Sequence, residues 1–267
     1  MDSAAGEWDP CLGPRRLRKA EAILRRRTTQ VLLVLEKSTD EFNQSAVLRT
    51  AEAFGIQRVW VVEAYRCKTK QGFKARIART SLQWIETESF LETSDCIAAI
   101  RASGRELWVT DLSQVAESLT DACMFQIPPQ GIALVVGNES TGVSEEMLAA
   151  ASRRIYLPLY GWADSLNLNV ATALVIQKLW DFNPGVVGVM DTEERESLRR
   201  DWYVQLANNE EQRIEYLKWA EEKSVVPLED LRRPDEFRKE AWIKKKILDK
   251  ESEAKKAREE HKIQAVE

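Results

Sequence analysis

The stretch IALVVGNESTGVSEEML, residues 132–148, decides the fold. It begins as a continuous apolar run, which suits a β-strand covered on both faces. The run stops at Gly137, passes through Asn138, Glu139 and Gly142, and reaches Ser144, a residue type that caps helices. Glu145 and Glu146 follow, where carboxylates favour a helix N-terminus. The stretch therefore reads as strand, tight turn, helix. Turn formation accounts for Gly137 and Gly142, and a glycine at a strand end also lets a ligand approach the backbone closely. Turn formation does not account for Glu139 beside the strand end.

The same punctuation repeats on either side. VLLVLE (31–36) is a second buried-strand run, and Asn43 opens a helix that ends at Phe54, with Gly55 as its stop. Further strands are expected at VWVVEA (59–64), QWIET (83–87), ELWVTDL (106–112) and IYLPL (155–159). Helices are expected over 89–103, with Gly104 as stop, over 144–152, and over 165–181 with Ser165 as cap. Strands alternating with helices predict an α/β domain, a mostly parallel sheet flanked by helices. In such sheets ligands bind beyond the C-terminal ends of the strands.

The chain has 267 residues, 44% hydrophobic and 31% charged, with a formal net charge of −4. That is length enough for one sizeable α/β domain with an appendage. The charge is unevenly spread. Residues 15–27, RRLRKAEAILRRR, hold seven Lys or Arg among thirteen, with Leu17, Ala20, Ile23 and Leu24 at helical spacing. This is a basic amphipathic helix after a disordered leader at 1–14. Beyond Asn183-Pro184-Gly185 the character changes: 191–222 is helical and charged, with Leu198, Trp202, Leu206 and Leu217 as its apolar minority, and 235–262 is a more strongly charged helical pattern. The expected organisation is therefore a leader (1–14), a basic helix (15–28), a core domain (29–183) and a charged helical extension (184–267). Cys11, Cys67, Cys96 and Cys123 form no CxxC pair and read as reduced thiols, and His261 is the one histidine. No metal site, no His-based triad and no membrane span is expected, and the chain reads as a cytoplasmic protein.

Three segments at strand ends carry polar residues that a plain core does not need: Asn43 to Ala51, Gly137 to Gly142, and Pro158 to Asn167. Each alone has a bland reading, as an N-cap with a solvated Arg49, as a strand-turn-helix, and as a capped core helix. Together their patterns, Asn-x5-Arg-Thr-Ala, Gly-Asn-Glu-x2-Gly and Pro-x6-Ser-Leu-Asn, are similar to the three signature motifs of the SpoU/TrmH family of RNA 2′-O-methyltransferases. The resemblance spans roughly residues 15–183.

That resemblance implies a C-terminal deep trefoil knot within the α/β fold, S-adenosylmethionine as cofactor, and a homodimer. It implies Arg49 as the catalytic residue, either a base assisted by RNA phosphate or a group that grips phosphate and orients the hydroxyl. Asn43, Glu139, Ser165 and Asn167 would complete the catalytic site, and Thr110, Gly137, Leu157 and Leu166 would contact the cofactor. The basic helix resembles the N-terminal extension of the TrmH branch, which methylates guanosine 18 in the tRNA D loop. Arg15, Arg16, Arg18, Lys19, Arg25, Arg26 and Arg27 would then meet phosphates. Other targets stay open, namely ribosomal RNA or another tRNA site, as does a non-catalytic RNA-binding knot protein. A dinucleotide-binding oxidoreductase fails because no G-x-G-x-x-G follows the first strand.

Overall fold

The computed structural model of the chain describes residues 12–63 and 82–232. Seven parallel strands form one sheet: β1 (Thr28–Glu36), β2 (Ile56–Val62), β3 (Glu86–Phe90), β4 (Glu106–Thr110), β5 (Glu117–Ser118), β6 (Ile132–Val136) and β7 (Arg153–Tyr156). Their order is β3-β2-β1-β6-β4-β7-β5. The helices are α1 (Arg15–Leu24), α2 (Glu41–Ala53), α3 (Thr93–Ala102), α4 (Glu145–Ala150), α5 (Leu168–Phe182), α6 (Thr192–Leu206) and α7 (Glu210–Glu222). No helix among the described residues is long and apolar enough to cross a membrane.

The continuous apolar runs are explained by burial on two faces. Side chains alternate along a strand, so Val31, Leu33 and Leu35 enter one core with α2 and α5, while Leu32 and Val34 enter the other with α3 and α4. β6 divides in the same way, with Ile132, Leu134 and Val136 on the first face and Ala133 and Val135 on the second. From β1 the chain moves to β2 on one side; from β6 it moves through α4 to β7 on the other. The boundary between β1 and β6 is therefore the switch point of the sheet, where the loops leaving the strand ends diverge and open a crevice.

Several expected boundaries shift. α2 begins at Glu41, because the Asp40 carboxylate accepts from Phe42 N at 2.8 Å and caps the helix; Asn43 lies inside the first turn. α5 begins at Leu168 with Asn167 as its cap, not Ser165; the Asn167 side chain accepts from Asn169 N at 3.0 Å. The strand expected at 83–87 is a short 3-10 turn followed by β3, and α3 starts correspondingly later. β3 is an edge strand with largely exposed polar side chains, so it carries no hydrophobic alternation to read. The helical pattern over 235–262 lies outside the described residues.

The chain divides into two compact units, residues 1–227 and 228–267. Within the first, α1, α6 and α7 share a third core, in which Leu17 and Leu24 meet Leu198, Trp202, Tyr203 and Tyr216. A buried carboxylate clasps this core: Glu21 accepts from Arg199 Nε at 2.6 Å and from the Tyr203 hydroxyl at 2.8 Å. Burial, with the Glu21 charge beside it, pushes the Tyr203 hydroxyl well above the ordinary tyrosine range. Removing one member of a buried pair strands the other without water or counter-charge. Glu21→Ala is expected to lower stability by about 3 kcal/mol, read as a shift of the denaturant midpoint, whereas Asp201→Ala, exposed in the interior of α6, is expected to leave it unchanged.

Candidate active site

Four chain segments converge at the switch point. The first is the exit of β1. Glu36, only 1% exposed, accepts from Thr93 Oγ1 at 3.0 Å, from Ser144 N at 2.8 Å and from Ser144 Oγ at 2.5 Å. It thereby joins β1 to the starts of α3 and α4. The next residue, Lys37, takes a left-handed conformation with φ of 51°, uncommon for a residue with a side chain. Asn138 Nδ2 donates to its carbonyl at 2.8 Å and holds the turn.

The second segment is the loop leaving β6. Asn138 and Gly142 exchange two backbone hydrogen bonds of 2.9 Å, and the Asn138 side chain accepts from Ser140 N and Thr141 N. These bonds close a five-residue turn that lifts Glu139 onto its tip. The turn folds back so tightly that a Cβ on Gly137 would stand 2.3 Å from the Gly142 carbonyl carbon. Gly142 itself needs a φ of +70°.

The third segment is the start of α2 and the fourth is the loop from β7 to α5. Glu139 Oε1 accepts from Ser38 Oγ at 2.9 Å and from Asn43 Nδ2 at 3.0 Å. The Asn43 side-chain Oδ1 in turn accepts from Asn167 Nδ2 at 3.0 Å. One chain of hydrogen bonds, Asn167 to Asn43 to Glu139, therefore links all three sequence motifs. An ionised carboxylate only accepts, so it fixes the orientation of the Asn43 amide. Behind it, Thr50 Oγ1 donates to Asn169 Oδ1 at 2.7 Å and holds α2 against α5.

Beside this chain lies a cavity of about 500 Å³, within the range of small-molecule sites. Thr110, Gly137, Leu157 and Leu166 all line it, as do Glu139 and Ser165. Asp111 and Asp164 line it too, although the sequence reading passed them over. Asp111 follows directly on β4, so its position at a strand end was the available signal; Asp164 lies in irregular chain and gave none. The wall otherwise consists of apolar side chains such as Val143 and Val175 and the polar backbone of the Gly137–Gly142 turn, with no Lys, Arg or His. Asp111 is already paired with Arg154 at 3.8 Å, so Asp164 and Glu139 are the carboxylates that suit a ligand with positive charge.

Arg49 is exposed on α2 and does not line the cavity. Its guanidinium has no hydrogen-bond or ion-pair partner among the described residues. Arg15, Arg16 and Lys19 on α1, and Arg25 and Arg26 just after it, are exposed, while Arg16 and Arg18 donate to the carbonyls of Leu206 and Val226. Arg27 does not belong with them. It is 0% exposed, pairs with Glu52 at 2.9 Å and lies over the Trp202 ring. Burial, only partly offset by Glu52, lowers its pKa from the ordinary arginine value. An arginine enclosed in this way is a structural pin between α2 and α6, not a surface cation.

A family model described as the SpoU rRNA Methylase family matches residues 30–177. The tRNA (guanosine(18)-2′-O)-methyltransferase of Borreliella burgdorferi is 28% identical over 193 residues, covering 72% of this chain and 85% of that protein. The enzyme of the same name from Aquifex aeolicus is 30% identical over 162 residues, covering 61% of this chain and 74% of that protein. Among solved structures, the A. aeolicus TrmH/SpoU tRNA modifying enzyme superposes with a TM-score of 0.57 at 25% identity, covering 72% of this chain and 96% of that one.

The turn geometry sets up a paired comparison. Gly137→Ala forces its Cβ into backbone and is expected to cost about 2–3 kcal/mol. Gly161→Ala in the facing loop meets nothing within 4 Å and is expected to be neutral. Denaturant melts of the two variants side by side check this; equal midpoints would mean that the Gly137–Gly142 approach is not a constraint.

Proposed function

The chain belongs to the SpoU rRNA methylase family, and on that footing we propose that it transfers a methyl group from S-adenosylmethionine to a ribose 2′-hydroxyl of RNA, with guanosine 18 in the tRNA D loop as the target. The observation that carries this reading is the acid-lined cavity at the switch point, with the Glu139–Asn43–Asn167 chain beside it. S-adenosylmethionine carries a sulfonium and an ammonium, and Asp164 and Glu139 offer compensating charge, while Asp111 is shared with Arg154. When bound, the cofactor supplies a methyl group already activated by positive sulfur, so the protein's task is mainly alignment.

In this reading Thr110, Gly137, Leu157 and Leu166 hold the cofactor, largely through backbone groups. Glu139, Ser165 and Asn167 shape the place where the ribose enters, and Asn43 fixes the Glu139 carboxylate. The planar guanidinium fork of Arg49 suits a bidentate grip on the RNA phosphate that orients the 2′-hydroxyl. Its exposure and lack of a partner support that role. The exposed cations of α1 and of the turn after it (Arg15, Arg16, Lys19, Arg25 and Arg26) and the half-buried Arg18 hold the RNA backbone. Residues 29–183 form the methyltransferase domain, with the leader, the basic helix and the extension from 184 outside it. Residues 132–183 are read as the knotted segment, a reading supported by four stretches between Gly137 and Val175 that wrap one cavity. A homodimer through α2 and α5 is supported by Phe42, Val170 and Leu174, all exposed on these two packed helices. A cytoplasmic location, with an organelle as the alternative, accommodates a tRNA substrate.

Purified protein incubated with radiolabelled S-adenosylmethionine and unmodified tRNA transcript is expected to label a D-loop guanosine. Arg49→Ala is expected to lose at least about a hundredfold in rate while still binding cofactor, and Arg49→Lys to recover little, since a point charge does not replace a planar fork. Label on ribosomal RNA alone would keep the chemistry and overturn the target. Cofactor binding without transfer to any RNA would replace the enzyme with an RNA-binding module.

A further inference from the structure

The loop from β7 to α5 does two things at once. Its flanks, Leu157 and Leu159 on one side and Asp164 to Leu166 on the other, line the cavity. Its tip, Tyr160-Gly161-Trp162, stands clear of the protein. Trp162 is 103% exposed and Tyr160 95%, and a Cβ on Gly161 would meet nothing within 4 Å. Every other described tryptophan and tyrosine is buried or half-buried, so these two rings depart from the rule that the rest of the chain follows. Neither stacks on another ring or on a cation among the described residues.

We propose that Tyr160 and Trp162 form a stacking platform for unpaired bases of the RNA, next to the nucleotide whose ribose is methylated. This deepens the methyltransferase reading and rests on it. A ribose that presents its 2′-hydroxyl beside Ser165 lies next to the loop that carries this tip, because Ser165 belongs to that loop and lines the cavity. A base held inside a helix cannot do so without being unstacked. Flat aromatic faces replace the lost stacking whatever the base, and they do so without charge. The tip bears no cation, so it is suited to bases and not to phosphates. Phosphate contacts fall instead to α1 and Arg49. The platform thus supports unpaired, loop-borne targets over duplex ones and sets no preference among bases.

The test measures RNA affinity of the full chain as a function of salt, with unmodified tRNA transcript as probe. Trp162→Ala is expected to weaken binding about tenfold with the salt slope unchanged, and Tyr160→Ala to weaken it by less. Trp162→Phe is expected to restore most of the loss. Arg25→Ala with Arg26→Ala, by contrast, is expected to reduce the slope itself. Cofactor affinity is expected to be the same in all of these variants. Unchanged RNA affinity in Trp162→Ala would overturn the platform. So would a fall in oligomeric mass by light scattering, which would assign the tip to contact with a second copy of the chain. If the wild-type chain transfers methyl to no RNA at all, the underlying reading has failed instead, and that result is separate from the behaviour of the loop variants.

Discussion

The site depends first on a carboxylate that has no cation partner among the described residues. Glu36 ends the central strand β1, is sealed from water, and satisfies itself with the hydroxyl of Thr93 and both the backbone N–H and hydroxyl of Ser144. A buried carboxyl group without hydrogen-bond partners would be too unfavourable to keep. Its three hydrogen bonds therefore dictate where α3 and α4 begin. Because Ser144 also caps α4, the turn from Gly137 to Gly142 is stretched between two fixed points: β6, paired to β1, and Ser144, paired to Glu36. The tightness at Gly137, the lift of Glu139 and the reach of Glu139 to Asn43 all follow from that span. The same carboxylate adds to burial in pushing the Cys96 thiol up to about 12, so this cysteine is an inert core residue.

What the sequence reveals is what local physics writes into it. Continuous apolar runs announce strands covered on both faces, and β1 and β6 behave as such. Glycines that stop helices do so at Gly55 and Gly104, both with positive φ. Motif positions at strand ends converge: Asn43, Glu139 and Asn167 share one hydrogen-bonded chain, and all four expected cofactor contacts line one cavity. What the sequence hides is set by distant partners. Asn43 and Ser165 are good capping residues, yet Asp40 and Asn167 do the capping, because the Asn43 amide is claimed by Glu139 and Ser165 belongs to the cavity wall. The edge strand β3 has no apolar alternation to detect. Asp164 gains its place only through the path of a loop.

Arg27 is the sharpest case of this kind. In the sequence it is the last of a run of three arginines and indistinguishable from Arg25 and Arg26. In the structure the run crosses from surface to interior, and only Arg27 finds a carboxylate, the Ile56 carbonyl and an indole face waiting. Composition counts it as part of a basic patch, whereas packing makes it the joint between the helix that carries Arg49 and the helical core formed by α1, α6 and α7.

That helical core has a consequence for the order in which the protein is made. The bonds that complete the structure are long in sequence: Ser38 to Glu139 spans 101 residues, Asn43 to Asn167 spans 124, and Glu21 to Tyr203 spans 182. During synthesis α1 emerges early, and its apolar stripe of Leu17 and Leu24 must wait for α6. At ordinary elongation rates that wait is roughly ten to forty seconds. Throughout it the nascent chain displays a cationic segment whose apolar residues are uncovered, while the catalytic crevice has no far wall. Competence and concealment thus arrive late and nearly together, so a truncated or stalled chain is at once inactive and sticky, which marks it for chaperone capture or proteolysis.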